Sequence, residues 1–228
     1  MATGTNIRTY FEGTWHNGDL SVMKAADHGA WLGTTVFDGA RLFDGLAPDL
    51  EAHCARINRS AAALMITPTV KADDMVAIVR EGLAAYPRDA AVYIRPMYWA
   101  LDGGELGILP KAGATGFAIS LEEIPMPNPK KTVRLTTTSF RRPVLADNVV
   151  NAKAGCLYPN NARMLLEAKT KGFDNALVAD AMGNVAETAT ANVFMVRDGV
   201  VYTPDYIARF IVEQTVGAHI GEMFDATI

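Results

Sequence analysis

Two stretches of the chain repeat mostly hydrophobic positions at helical spacing. Within 48–66, positions 53, 57, 61 and 64 return every three to four residues, and within 71–86, positions 75, 79 and 83 return every fourth residue. This period puts the repeating side chains on one face, so both stretches predict amphipathic helices. A third helix is predicted over 160–171, where Gly172 supplies a C-terminal cap.

Runs of β-branched and aromatic residues predict the strands. They cover 7–13, 34–43, 90–100, 115–124, 132–140, 175–179, 185–187, 191–196 and 200–203. Asn17-Gly18 is a strong hairpin turn signal and is predicted to follow the first strand region. Within 90–100, the two-residue period of a strand puts Tyr93 and Arg95 on the same side.

A proline-rich stretch divides the chain. Residues 125–131 hold three prolines and two lysines, a composition typical of a stiff linker. We therefore predict a small N-terminal α+β domain over 1–124, a linker over 125–131 and a larger domain over 132–228.

Charge and composition narrow the class of protein. A formal net charge of -4 without a basic stripe argues against a nucleic-acid partner, and no apolar run reaches membrane-spanning length. The N-terminus lacks the apolar segment of a signal peptide, and the scattered histidines lack metal-ligand spacing, so we expect no metal. Cys54 and Cys156 do not form a disulfide framework, so we expect a cytoplasmic location.

Lys153 differs from the other lysines in its surroundings. The other seven lie beside charged, proline or other polar residues, whereas Lys153 lies in the almost uncharged run 148–158. A lysine in apolar surroundings forms the neutral amine more readily, and the neutral amine is the nucleophile that condenses with a carbonyl group. The run also fits a lysine whose stem packs on apolar surface while its ammonium group reaches water.

Glu187 is an acid with no lysine or arginine within nine residues on either side. One interpretation is an exposed turn carboxylate. The other is an acid directed at a cationic partner that the chain itself does not supply, such as a protonated pyridine ring. Together, Lys153, Tyr158 and Glu187 favour a site for pyridoxal 5'-phosphate (PLP).

Several motifs carry a resemblance to a known family. In chain order they are Val36-Phe-Asp-Gly-Ala-Arg41, His53-Cys-Ala-Arg56, Tyr93-Ile-Arg-Pro96, Asn151-Ala-Lys-Ala154, Tyr158, the run from Glu167 to Ala176, Asp180, Gly183, Glu187 and Asn192. From about residue 10 to about residue 204, the chain resembles the fold-type IV PLP-dependent aminotransferases, most closely the branched-chain amino-acid aminotransferases. The resemblance implies an α+β fold with a small α/β sandwich domain and part of a larger β-barrel-like PLP domain, assembled as a homodimer.

The resemblance also implies which residues bind the cofactor. Lys153 would hold PLP covalently and act as the catalytic base, and Arg56 would bind its phosphate. Glu187 would bind the ring nitrogen, Tyr158 would hydrogen-bond near the phenolic oxygen, and Asn192 would also contact the cofactor.

The substrate side follows from the same resemblance. Phe37, Arg41, Tyr93 and Arg95 would line the pocket for an aliphatic, branched-chain amino acid, with 2-oxoglutarate as the amino acceptor. A D-amino-acid or amine transaminase, or an aminodeoxychorismate lyase, of the same fold is the close alternative. Leu32 stands where the branched-chain group has an aromatic residue, which leaves the choice of substrate open.

The resemblance ends near residue 204. The family's glycine-rich phosphate loop is not recognisable in 205–228, so we expect the larger domain to be truncated or altered there. A phosphate is normally held by several donors at once, so this difference predicts loose PLP binding and low turnover. A non-catalytic remnant of the family is the alternative from a different functional class.

Overall fold

The structure is a computed structural model that describes residues 4–128 and 130–202. Its described residues form two compact units. The first comprises 4–128 together with Asn151–Cys156, and the second comprises 130–150 together with 157–202. The segment that carries Lys153 thus returns to the first unit. The predicted division into 1–124, 125–131 and 132–228 stays a prediction, and the expected change after 204 lies outside the described residues.

The first unit is an antiparallel sheet with helices packed against it. Its strands are β1 (Thr5–Phe11), β2 (Thr14–Asn17), β3 (Thr35–Phe37), β4 (Ala40–Leu42), β5 (Val92–Ala100) and β6 (Thr115–Glu123). Its helices are α1 (His28–Leu32), α2 (Leu50–Ala63) and α3 (Ala72–Leu83). The strand order is β2-β1-β6-β5-β3, and β4 also pairs with β5.

The core of this unit lies between the two long helices and the central strands. Ile57 of α2, Met75 and Val79 of α3, and Ile94 and Tyr98 of β5 are fully buried. Full burial of each aliphatic side chain contributes about 1.5–3 kcal/mol relative to exposure. The two amphipathic helices predicted from the hydrophobic period are therefore confirmed, each a few residues shorter than expected. The short helix α1 was not predicted, because five residues are too few to show a period.

The first hairpin turns earlier than predicted. A two-residue loop, Glu12-Gly13, joins β1 to β2, and its φ angles of 50° and 83° are both positive, as in a type I′ turn. The predicted turn at Asn17-Gly18 is wrong, because Asn17 ends β2 and Gly18 N donates to Ile7 O across the open end of the hairpin. The cross-strand pairing of β1 with β2 determines the position of the turn, and the Asn-Gly signal does not.

The single strand predicted over 34–43 is interrupted at Asp38-Gly39. Both halves, β3 and β4, pair with β5 in one continuous register, so no residue is inserted. Asp38 N donates to Pro96 O at 3.1 Å, but Pro96 has no N–H to complete the ladder at this point. The proline in the partner strand thus explains the interruption, which the sequence pattern of 34–43 alone does not reveal.

The second unit is built around a parallel strand pair with a helical crossover. Its elements are β7 (Leu135–Arg142), a 3₁₀ turn (Gly155–Leu157, shared with the first unit), α4 (Tyr158–Thr170), β8 (Asn175–Asp180), β9 (Val185–Thr188), β10 (Met195–Arg197) and β11 (Val200–Tyr202). β7 and β8 are parallel, β8 and β9 are antiparallel, and β10 and β11 form a separate hairpin. Parallel neighbours need a crossover, and α4 supplies it.

The core of the second unit is small. Met164 and Ala168 of α4 pack with Ala176 and Val178 of β8 and with Ala189, and all five are fully buried. The fold as a whole is α+β, as predicted.

Candidate active site

The backbone of Lys153 is held on two sides within the first unit. Lys153 N donates to Ser60 Oγ of α2 at 3.1 Å, and Lys153 O accepts from Phe37 N of β3 at 3.1 Å. The next residue, Ala154, forms an antiparallel bridge with Val36. A single bridge at Ala154 and the hydrogen bond from Phe37 therefore fix the Lys153 backbone beside β3, before the chain enters the 3₁₀ turn at Gly155.

The side chain of Lys153 meets an aromatic ring. Its Nζ lies 5.0 Å from the centre of the Phe37 ring, within the range of a cation–π interaction. Both neighbours, Ala152 and Ala154, are buried. The structure thus brings together Lys153 and Phe37, two of the predicted site residues.

Arg56 lies on α2 and faces the break between β3 and β4. Its Nε and Nη2 donate to the two carboxylate oxygens of Asp38 at 2.7 and 2.6 Å. His53, one turn earlier on α2, places Nδ1 2.8 Å from the same carboxylate. Burial acts to raise the pKa of Asp38, but hydrogen bonds from Arg56 and His53 and their charges outweigh it and lower the pKa to about 2.

Tyr93 has two arginines close to its ring. The guanidinium carbon of Arg41 is 5.5 Å from the centre of its ring and that of Arg95 is 5.0 Å away. Arg41 Nη1 donates to Ile124 O at 2.6 Å, and Arg95 Nη1 forms a 2.6 Å ion pair with the buried Glu122. The structure therefore brings together Arg41, Tyr93 and Arg95, and their role in a substrate pocket stays a prediction.

The other three predicted residues lie in the second unit. Tyr158 begins α4 and is partly exposed, Glu187 lies in β9 and is about one-third exposed, and Asn192 lies in the exposed loop after β9. Two hydrogen bonds close the turn between Glu187 and Asn192: Thr188 N donates to Ala191 O at 2.8 Å, and Ala191 N donates to Thr188 Oγ1 at 2.9 Å.

The premise that the chain supplies no cation to Glu187 is wrong, whereas its role at a ring nitrogen stays a prediction. The chain does supply a cation, because Arg142 Nε lies 2.7 Å from Glu187 Oε1. Arg142 also donates through Nη1 to Asn161 Oδ1 of α4 at 2.6 Å. The local sequence around Glu187 gave no sign of this partner, which comes from a different strand.

Four residues that contact the predicted site residues have no role assigned from the sequence. Asp38 holds Arg56, Glu122 holds Arg95, Arg142 holds Glu187, and Ser60 holds the backbone of Lys153. Asp38 and Glu122 carried one usable signal, since a carboxylate inside a strand pattern needs a buried partner. Neither Arg142 nor Ser60 stands out in its own segment.

Metal sites and membrane spans are both absent from the residues that the structure describes. Within 4–128 and 130–202, no group of three His, Cys, Asp or Glu side chains is placed to hold a metal ion. No helix in the same residues is long and apolar enough to span a membrane.

Known proteins resemble this chain over most of its length. Residues 35–212 match the amino-transferase class IV family. A probable branched-chain-amino-acid aminotransferase of Rickettsia typhi is 32% identical over 196 residues, which cover 83% of this chain and 67% of that protein. A putative branched-chain-amino-acid aminotransferase of Methanocaldococcus jannaschii is 33% identical over 204 residues, or 87% of this chain and 68% of that protein.

Solved structures share the fold. An aminotransferase from Brucella abortus, bound to the cofactor PLP, superposes with a TM-score of 0.84 at 58% identity and covers 87% of this chain and 70% of that one. The branched-chain aminotransferase from Thermoproteus uzoniensis, solved with norvaline, gives a TM-score of 0.75 at 23% identity, covering 90% and 74%. At that identity the second likeness shows the fold alone.

A family match over most of the chain and the Brucella superposition agree on the class of protein. The chain belongs to the class IV aminotransferases and has the fold-type IV architecture. It is an enzyme related to the branched-chain-amino-acid aminotransferases.

Proposed function

We propose that the chain transfers the amino group of an aliphatic, branched-chain amino acid to 2-oxoglutarate, with PLP as its cofactor. The names of the relatives support the substrate class. The observation that carries the proposal is Lys153, which is fixed by its backbone between α2 and β3 with its amine over the Phe37 ring.

The chemistry of the available side chains fits this cofactor. An aldehyde requires a primary amine, which Lys153 provides, and a phosphate is matched by the planar donor group of Arg56. A ring nitrogen that must stay protonated requires a carboxylate, which Glu187 provides beside Arg142. Tyr158 would donate near the phenolic oxygen, and Asn192 would add a polar contact.

Each of these groups has a separate task. PLP, when bound, supplies an electron sink that makes the Cα–H bond of an amino acid easier to break. Lys153 would anchor the cofactor and then take the proton from the substrate Cα. Glu187 would keep the ring nitrogen protonated, and Arg56 would retain the cofactor through its phosphate.

The substrate side is assigned to the first unit. Phe37 would form an apolar wall for an aliphatic side chain. Tyr93 would present its ring beside Arg41 and Arg95, and Glu122 forms a 2.6 Å ion pair with Arg95. Fixed cations beside an apolar wall suit a molecule with one carboxylate and one hydrocarbon part.

We also propose a homodimer in the cytoplasm. Leu106, Ile108 and Leu109, in the loop between β5 and β6, are each more than half exposed, and a second copy would cover such apolar surface. The chain's two cysteines, Cys54 and Cys156, are both free thiols, as suits a reducing compartment. Light scattering that shows a monomer at micromolar concentration would contradict the dimer.

A panel of amino donors tests the reaction. The purified chain is incubated with PLP, 2-oxoglutarate and L-valine, L-leucine, L-isoleucine, D-alanine or 1-phenylethylamine in turn, and glutamate is measured. The proposal expects glutamate from the three branched-chain donors. Glutamate formed only from D-alanine or the amine would point instead to a D-amino-acid or amine transaminase.

A further inference from the structure

Asp38 has a fully buried carboxylate, and the proposed function gives this residue no role. Its side chain is 0% exposed. It accepts hydrogen bonds from Arg56 Nε at 2.7 Å, from Arg56 Nη2 at 2.6 Å and from Gly39 N at 2.7 Å, and His53 Nδ1 lies 2.8 Å away. So many donors around one acidic residue make it the centre of a polar cluster.

The proton on His53 can be assigned from this cluster. With a pKa of about 2, Asp38 is ionised at neutral pH and can only accept hydrogen bonds. His53 Nδ1 must therefore carry a proton and donate to it. Arg56 Nη2, 3.1 Å from the same nitrogen, is then a close neighbour of His53 and no second hydrogen-bond donor to it.

The contact with Asp38 sets the direction of the Arg56 guanidinium. The carboxylate meets Nε and Nη2 together, which fixes the plane of the group and not just one bond. Because the guanidinium is planar, its Nη1 side points away from Asp38. That side is the one we assign to the phosphate.

We propose that Asp38 is a positioning residue that orients Arg56 to bind the phosphate of the cofactor. The inference rests on the phosphate role given to Arg56 under the proposed function. Two effects of Asp38 oppose each other, since its charge repels a phosphate while its geometry prepares the arginine. Arg56 and His53 surround the carboxylate and offset its charge, so orientation dominates. Whether replacing Asp38 weakens or strengthens phosphate binding therefore tests which of the two effects dominates.

Pyridoxal separates the phosphate contribution from every other contact. It has the aldehyde and ring of PLP but no phosphate, so the ratio of its dissociation constant to that of PLP measures phosphate recognition. Pyridoxal also cyclises in solution, but this affects all variants equally and cancels when they are compared. Both constants are obtained by absorbance titration of the full chain, as wild type, Asp38→Asn and Arg56→Gln.

We expect Asp38→Asn to lower the ratio by about 10- to 100-fold, the range found when supporting partners of metal ligands are removed. Binding of pyridoxal itself should change little. A merely structural role would weaken both ligands alike and leave the ratio unchanged. Asp27→Asn is the matched control, because Asp27 is also buried in the first unit and accepts from Trp99 Nε1 and Lys24 N, both at 3.0 Å.

The outcomes distinguish the two proposals. If Arg56→Gln lowers the ratio while Asp38→Asn leaves it unchanged or raises it, the positioning role is overturned and the function stands. If Arg56→Gln leaves the ratio unchanged, the phosphate role of Arg56 fails and the positioning role fails with it. Should Asp38→Asn not fold, His53→Leu removes a second donor to Asp38 and must lower the ratio in the same direction; an unchanged ratio overturns the proposal.

Discussion

Arg142 Nε lies 2.7 Å from Glu187 Oε1, and this ion pair joins β7 and β9, the two edge strands on either side of β8. The same guanidinium donates to Asn161 of α4 at 2.6 Å. Arg142 thus links both edges of the sheet to the crossover helix. The position of the proposed ring-nitrogen carboxylate is therefore set by a residue far away in sequence.

Replacing Arg142 by leucine is expected to destabilise the protein. The change removes the hydrogen bond from Arg142 to the buried Asn161 and the ion pair of Arg142 with the partly buried Glu187. Breaking a fully buried pair costs about 3–5 kcal/mol, and partial exposure of Glu187 reduces this to about 2 kcal/mol. Urea denaturation of Arg142→Leu and wild type measures the difference in unfolding free energy.

Arg134→Leu is the control for this prediction. Arg134 pairs with Asp174 at 3.4 Å, but both side chains are exposed, at 68% and 38%. An exposed pair contributes about 0–1 kcal/mol, so this variant should remain close to wild type. Equal losses in both variants would contradict the role given to Arg142.

Asp38 should make stability depend on acid pH. Its pKa is lowered from the usual 3.8 to about 2 in the folded protein, so its stabilisation is present above pH 4 and is lost as the pH falls toward 2. Between pH 5 and pH 3 the loss is about 1 kcal/mol, from the two pKa values. Asp38→Asn has no carboxyl group to titrate at this position. Its stability deficit relative to wild type should therefore shrink by that amount when the pH is lowered from 5 to 3.

Denaturation at pH 5 and pH 3 measures the change. Glu167, whose pKa is lowered to about 2, chiefly by its hydrogen bond from Lys171, is present in both proteins and cancels in the comparison. A deficit of Asp38→Asn that is the same at both pH values would show that Asp38 contributes no pH-dependent stability.

Gly39 is required next to Tyr93. A Cβ added at Gly39 would overlap the Tyr93 hydroxyl oxygen, with the ring carbon Cζ only 3.0 Å away. Gly39→Ala should therefore displace the ring and cost about 1–3 kcal/mol, as overpacking of cores does. Removing the hydroxyl relieves the worst contact, so the same change should cost less in a Tyr93→Phe background. Thermal unfolding of the four proteins measures this, and equal costs in both backgrounds would contradict the account.

Much of the fold could be predicted because it depends on local patterns. The period of the repeating positions located both helices, α2 and α3. Ile57, Ala61, Met75 and Val79 are buried as expected, whereas His53 and Leu83 are only partly buried. The break in 34–43 could not be predicted from that stretch, because its cause is Pro96 in another strand. The hairpin turn lies at Glu12-Gly13 and not at the Asn17-Gly18 signal, because the pairing of β1 with β2 places Asn17 at the end of a strand.

The residues of the candidate site also fall into those that the local sequence predicts and those that it does not. Lys153 was identified from its own uncharged surroundings, which are a property of nearby sequence. Asp38 and Arg142 were not assigned, because what marks each of them is a partner on a separate element. An ion pair between two separate elements produces no periodic pattern in the sequence. The residues that support a site are therefore harder to predict than the residues that form it.

The attachment of PLP to Lys153 is the central claim. Wild-type protein with PLP is reduced with borohydride, digested and analysed by mass spectrometry, alongside Lys153→Ala and the control Lys169→Ala, which alters an exposed lysine of α4. We predict a single reduced phosphopyridoxyl adduct on the peptide that contains Lys153, lost in Lys153→Ala and retained in Lys169→Ala. An adduct on Lys111 or Lys169 in the wild type, or one that survives in Lys153→Ala, would contradict the account.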